Sequence, residues 1–178
     1  PGIMTASAVR SYLNRYGVAA GRKAVVYGNT DDVARTVRDL EAAGIEITAV
    51  VDARPDAERV TPNGLFAAGG SIANTAGRLG LRSASIQYAG GAIRKVDADF
   101  IAMSGGWNPS VHLACHMNGR PSWDERTQSF VPTPDMVPNM VAVGAAAGHF
   151  STHQALVDGH AAAVEVIQAV GASAPSID

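Results

Sequence analysis

The sequence predicts an α/β fold, a βαβ unit accompanied by a small antiparallel sheet. Three observations carry that expectation. Two short apolar runs, Ala24–Tyr27 and Ile45–Val51, enclose a helix-patterned stretch within about 30 residues, the length of one βαβ unit. Between Ser71 and Val96, short strand-like runs alternate with glycines. Further apolar runs at Asp99–Met103 and Met140–Val143 have the look of strands buried on both faces.

Taken in order, Thr5 to Tyr16 reads as a linker helix over residues 1–16, with Thr5 or Ser7 as its cap, Val9, Leu13 and Tyr16 on one face, and Gly17 as its stop. Ala24–Tyr27 is a strand ending at Gly28. Asn29-Thr30-Asp31-Asp32 offers cap chemistry for a helix over Asp32–Ala43, with Val33, Val37 and Leu40 inward and Gly44 closing it. The strand Ile45–Val51, ending at Asp52, should run parallel to the first, through a right-handed crossover. Residues 53–70 read as loop or weak helix. Ser71–Thr75, Arg82–Tyr88 and Ala92–Val96 form the antiparallel set. Asp99–Met103 breaks at Ser104-Gly105-Gly106, and Pro109–Met117 reads as a short helix. Four prolines make 121–138 loop or edge strand. Met140–Val143 runs into Gly144–Gly148, the final helix spans Thr152–Val170, and the tail from Ala172 reads as frayed.

Composition narrows the function. The 178 residues are 47% hydrophobic but only 17% charged, so a packed domain is expected, with part of its surface covered by other protein. Fourteen basic and 16 acidic side chains leave a net charge of -2 without long runs, which argues against gripping nucleic acid or an anionic membrane. No stretch reaches the ~20 apolar residues of a membrane span, and no secretory pattern is present. The single Cys115 excludes an internal disulfide and fits a reducing, cytoplasmic setting. A start at Pro1 is expected of a piece of a longer, or a processed, polypeptide.

Two turns are candidate ligand sites. In a dinucleotide-binding βαβ unit, a glycine turn brings phosphate to a helix N-terminus and an acid ~20 residues on takes the ribose. Gly28 and Asp52 hold those places, but Thr30 and Val33 stand where further glycines would be, and Asp31 and Asp32 carry the wrong sign for phosphate. The other reading is a plain strand-to-helix turn with the acids capping the helix. Gly144–Gly148 is a second small-residue turn, suited either to a ligand or to close packing. His149 and His153, and the cluster His112, Cys115 and His116, lack a full ligand set for a metal. Cys115 reads as a small buried apolar residue, and Trp107 and Trp123 as core or interface anchors. No catalytic constellation is evident.

The strings Pro1-Gly2-Ile3-Met4, Ala8–Leu13, Ala24–Asn29, Val50–Pro55, Ser104-Gly105-Gly106-Trp107-Asn108-Pro109 and Gly119–Glu125 resemble the alpha subunit of heterotetrameric sarcosine oxidase, across nearly the whole chain. The resemblance implies a Rossmann-like fold as in flavoproteins with two dinucleotide-binding domains. Residues 17–106 would be an inserted NAD-binding-like lobe and 107–178 the C-terminal part of the outer lobe. It implies a nucleotide-binding component of a complex that oxidises sarcosine to glycine, passes the one-carbon unit to tetrahydrofolate and forms peroxide. NAD is the cofactor expected here, and FAD or FMN only in the wider complex. Partners would be the other subunits, above all a flavin-bearing beta subunit. Gly28, Asn29, Thr30, Asp52, Gly105, Gly144, Gly148 and His149 are the candidate cofactor-binding residues, with no catalytic or metal residue. His149 stands where related flavoproteins carry an aspartate against the flavin ribityl. Two alternatives remain: a ligand-free structural or interaction lobe, and a subunit of a related amine or amino-acid dehydrogenase.

Overall fold

A computed structural model describes residues 1–171, which divide into two compact units, Pro1–Gly106 and a second beginning at Trp107. The frayed tail expected from Ala172 lies outside the described residues. Among the described residues, no helix is long and apolar enough to cross a membrane.

The first unit is built on a five-stranded parallel sheet. Its strands are β1 (Ile3–Thr5), β2 (Lys23–Gly28), β3 (Glu46–Asp52), β4 (Leu65–Ala68) and β8 (Phe100–Met103), in the order β1-β8-β2-β3-β4. Alternation along each strand serves two cores. Ala24, Val26, Val50, Phe100 and Ala102 face helices α1 (Ala6–Tyr16) and α2 (Asp32–Ala42), which add Val9, Val33, Val37 and Leu40. Val25, Ala49, Val51 and Ile101 face the other way and bury Ala84 and Ile86. Strands β5 (Ser71–Ala76), β6 (Ser83–Gln87) and β7 (Ile93–Asp97) form the expected antiparallel sheet.

Helix α1 is capped as the sequence suggests. Thr5 Oγ1 accepts from Ala8 N at 3.3 Å, and Gly17 closes the helix in the left-handed region at φ 64°. Asp39 Oδ2 accepts from Arg10 Nε at 2.7 Å and Asn14 Nδ2 at 2.8 Å, tying α1 to α2. At the start of the sheet, Asp99 Oδ2 accepts from the backbone N–H groups of Arg22 (2.8 Å) and Lys23 (2.9 Å). Those two donors hold its pKa below the ordinary aspartate value.

Several expectations change. Residues 1–16 are more than a linker: Ile3–Thr5 pair with Ile101–Met103, and Val9 is buried. Strand β4 lies within the expected loop, because Leu65–Ala68 is too short a run to signal a strand but finds a ready edge on β3. Asp31, at the cap position of α2, makes no side-chain capping bond.

The second unit holds α3 (His112–His116), a hairpin of β9 (Ser122–Asp124) and β10 (Ser129–Val131), a 3-10 turn at Gly144–Ala147, and α4 (Thr152–Ala169). The prolines thus leave room for one short hairpin. Met140–Val143 is not a strand. Among the described residues no strand of this unit pairs with it, and Val141 is exposed.

Candidate functional site

Because β2, β3 and β8 are parallel, their carboxyl ends meet at one edge. Gly28, Asn29, Thr30, Asp52 and Gly105 are gathered there. A Cβ at Gly28 would lie 2.4 Å from Val33 Cγ2, so the glycine lets the first turn of α2 pack against the strand end. Asn29 Nδ2 donates to Gly105 O at 3.1 Å. Thr30 is 8% exposed. Its Oγ1 and the Oδ1 of Asn29 are both shut off from solvent without a hydrogen bond.

Asp52 is 3% exposed, and Arg54 grips it. Oδ1 accepts from Arg54 N (2.9 Å) and Nε (3.1 Å), and Oδ2 from Arg54 Nη2 (2.9 Å). A carboxylate has about four acceptor positions, so one remains. Arg54 Nη1 donates to Asp31 Oδ1 at 2.9 Å, which gives the acid at the helix start an ion-pair role in place of a cap. Hydrogen bonding to Asp52 raises the Arg54 pKa further above its already high ordinary value, against the opposing effect of burial.

A ribose diol needs a carboxylate with a free face, and a pyrophosphate needs bare N–H groups without acids beside them. At this edge Arg54 covers Asp52, Thr30 fills a glycine place, and Asp31 and Asp32 stand at the helix start. These residues do not fit a dinucleotide.

Gly144, Gly148 and His149 lie in the second unit. Gly144 (φ 56°) and Gly148 (φ 88°) take left-handed conformations. A Cβ at Gly148 would lie 2.7 Å from Val131 Cγ1, so packing already demands that glycine. His149 Nδ1 is hydrogen-bonded to Asp158 Oδ2. Asp158 Oδ1 accepts from Gln154 Nε2 at 2.8 Å, and Oδ2 from Gly144 N at 3.3 Å. Gln154 and then His149 hold the Asp158 pKa below its ordinary value. A carboxylate on Nδ1 fixes the imidazole orientation, and the half-buried side chain has Nε2 as its second polar atom. Glycines, a small-residue turn and one oriented imidazole fit a ligand that offers hydroxyl or phosphate oxygens.

The sequence did not single out Arg54 or Asp158. Arg54 follows Asp52 by two residues, close enough to fold back on it. Asp158 sits four residues after Gln154, one helical turn along α4. Cys115 is exposed, contrary to the small buried residue expected, because α3 turns it outward. Trp107 and Trp123 are exposed by about half, so neither is a core anchor. Among the described residues, no three His, Cys, Asp or Glu side chains are grouped to hold a metal ion.

No protein-family model matches the chain. Sarcosine oxidase subunit alpha of Rhizobium meliloti (strain 1021) is 33% identical over 179 residues, which covers 99% of this chain and 18% of that subunit. The same subunit of Corynebacterium sp. (strain U-96) is 39% identical over 183 residues, covering 96% of this chain and 19% of the subunit. Two solved structures share the fold. L-proline dehydrogenase from P. horikoshii has a TM-score of 0.62 at 16% identity and covers 98% of this chain and 31% of its own. The 2-naphthoyl-CoA reductase complex has a TM-score of 0.53 at 15% identity, covering 89% and 22%. The chain therefore spans about a fifth of the length of the curated relatives it matches, and over nearly its whole length it is similar to one segment of sarcosine oxidase subunit alpha.

Proposed function

We propose that the chain acts as a dinucleotide-fold segment of the alpha subunit in a multi-subunit oxidase of the sarcosine oxidase type. The near-complete alignment at 33–39% identity is the observation that carries this reading. In such an assembly sarcosine is oxidised to glycine, the one-carbon unit passes to tetrahydrofolate, and oxygen is reduced to peroxide. The flavin belongs to the wider complex, on or beside a beta subunit. The segment itself holds no complete active site, and its part is to present a nucleotide and to bind partner subunits.

Between the two candidate turns, NAD is assigned to the one at Gly144–His149. When bound, NAD supplies a nicotinamide that exchanges hydride. Gly144 and Gly148 let that turn pack closely on Ala155 and Val131, and His149, steadied by Asp158, offers Nε2 to a ligand oxygen. At the first turn the grip of Arg54 on Asp52 weighs against it.

Calorimetric titration with NAD, in the assembled oxidase and in this chain, tests the assignment. Binding should survive Asp52→Ala. It should weaken about tenfold in His149→Ala, the loss of one hydrogen bond of about 1 kcal/mol or slightly more. Binding lost in Asp52→Ala and kept in His149→Ala would move the nucleotide to the first turn. An assembly that forms no glycine from sarcosine would remove the proposed activity.

A further inference from the structure

The order β1-β8-β2-β3-β4 has a switch point. From β2 the chain moves to β3 on one side, while β8 enters on the other. The crevice at the carboxyl ends of β2 and β8 is where open α/β sheets take ligands. Here it is spanned by the chain itself. Asn29, just past β2, donates across it to Gly105 O, just past β8. Gly106, at φ 83°, makes room for that bridge, since a Cβ there would lie 2.7 Å from Asn29 Oδ1. Ser104 Oγ accepts from Gly106 N at 3.3 Å and holds the far lip. On the β3 side, the Arg54 guanidinium lies where the Asp52 carboxylate would meet a ribose, with its side chain 14% exposed. Its three nitrogens are divided between Asp52 and Asp31.

We infer that the nucleotide crevice of the first unit is filled by the protein's own side chains, with Arg54 in place of the ribose and Asn29 closing the switch point, so that this lobe serves as a ligand-free scaffold. Two buried acceptors without partners, Asn29 Oδ1 and Thr30 Oγ1, are the feature a ligand would be asked to satisfy. Neither is reachable from solvent, so a dinucleotide would first have to break the Asn29 bridge. The triad Asp31–Arg54–Asp52 and the Asn29–Gly105 bond together tie the ends of β2, β3 and β8 and the start of α2 into one edge. This inference rests on the dinucleotide fold of the segment, and it requires that the nucleotide of the proposed function bind outside the first unit.

The test is a 15N-resolved NMR titration of the full chain with NAD to millimolar concentration. Amide signals of Gly28, Asn29, Thr30, Asp52 and Gly105 should stay in place. The Arg54 Nε–H signal should be resolved from the other arginines and persist, as expected of a guanidinium held on two carboxylates. Saturable shifts at those amides, or an Arg54 signal averaged with exposed arginines, would overturn the inference. Shifts confined to Gly144–His149 would support both the closed crevice and the proposed nucleotide site. With no shifts anywhere, the closed crevice stands and the assignment of NAD to this chain fails.

Discussion

The two units spend their apolar residues differently. In the first, sheet strands bury side chains on both faces, and Val25, Val26, Leu40, Val50, Val51 and Phe100 are fully enclosed. Among the described residues of the second, Ala114 and Val137 are the buried hydrophobics, and α4 buries none of its 18 residues. Leu156, Val157, Val166 and Val170 of the final helix region, with Leu113, Trp107 and Phe130, are exposed. Polar bonds share this asymmetry. Arg54 and Asp52 make a mostly buried pair in the first unit, while His149, Gln154 and Asp158 form a partly exposed cluster in the second. A sheet brings distant segments together and can bury both faces. In the second unit α4 lies against the short Gly144–Ala147 turn, which leaves most of the helix uncovered.

That contrast breaks most sharply at Arg54. Arg54→Met leaves the buried Asp52 carboxylate without its cation and should cost about 3–5 kcal/mol in urea unfolding. Asp31→Asn removes only the exposed arm and should cost at most about 1 kcal/mol. Equal losses would mean that Asp52 is not the buried anchor. Next, Leu40→Ala should cost about 2–5 kcal/mol, whereas Leu156→Ala, at 70% exposure, should change stability by no more than about 0.5 kcal/mol. A large loss at Leu156 would show that α4 is packed after all.

Acid offers a finer comparison, because each unit has an aspartate with a lowered pKa. Asp99 is held by the Arg22 and Lys23 N–H groups, and Asp158 by Gln154 and His149. A lowered folded pKa means the unfolded chain takes up the proton first. The stabilisation is therefore complete above the ordinary value near ~4 and drains away as pH falls through the lowered one. Asp99→Asn should flatten the acid limb of first-unit stability, and Asp158→Asn that of hydrogen exchange in α4. An unchanged limb in either variant would remove that carboxylate from the account. The smallest effects belong to the helix caps. Thr5→Ala and Ser151→Ala each lose a capping bond, with Ser151 Oγ accepting from Gln154 N at 3.1 Å. Each should cost about 1 kcal/mol, felt as a lower melting temperature in the first unit and as fraying of α4 in the second.

Much of the first unit was legible in the sequence because burial on both faces leaves continuous apolar runs, as in Ala24–Tyr27 and Ile45–Val51, and because Gly17 and Gly44 mark helix ends. Strand β4 was not legible, since four residues carry no period and the strand exists only through its ladder with β3. Met140–Val143 misled for the converse reason. It has the composition of a strand, but strand structure requires a paired neighbour. At the candidate site, Gly28 and Asp52 were visible as a spacing. The decisive contact was not, because whether Asp52 faces a ligand or Arg54 depends on the path of the chain after β3.

The pairing of β1 with β8 has a mechanical side. Ile3–Thr5 and Ile101–Met103 are about 100 residues apart, so this ladder closes the longest loop of the unit and should be among the last to form. The strands are parallel and the chain enters at the start of one and leaves near the end of the other. A pull on the two ends therefore slides the strands along each other. The ladder bonds, Ile101 N to Gly2 O at 2.7 Å among them, are then loaded together and do not open one by one. Tension carried through the polypeptide meets this unit at its shear-resistant seam, before it reaches the helices or the edge where Arg54 sits.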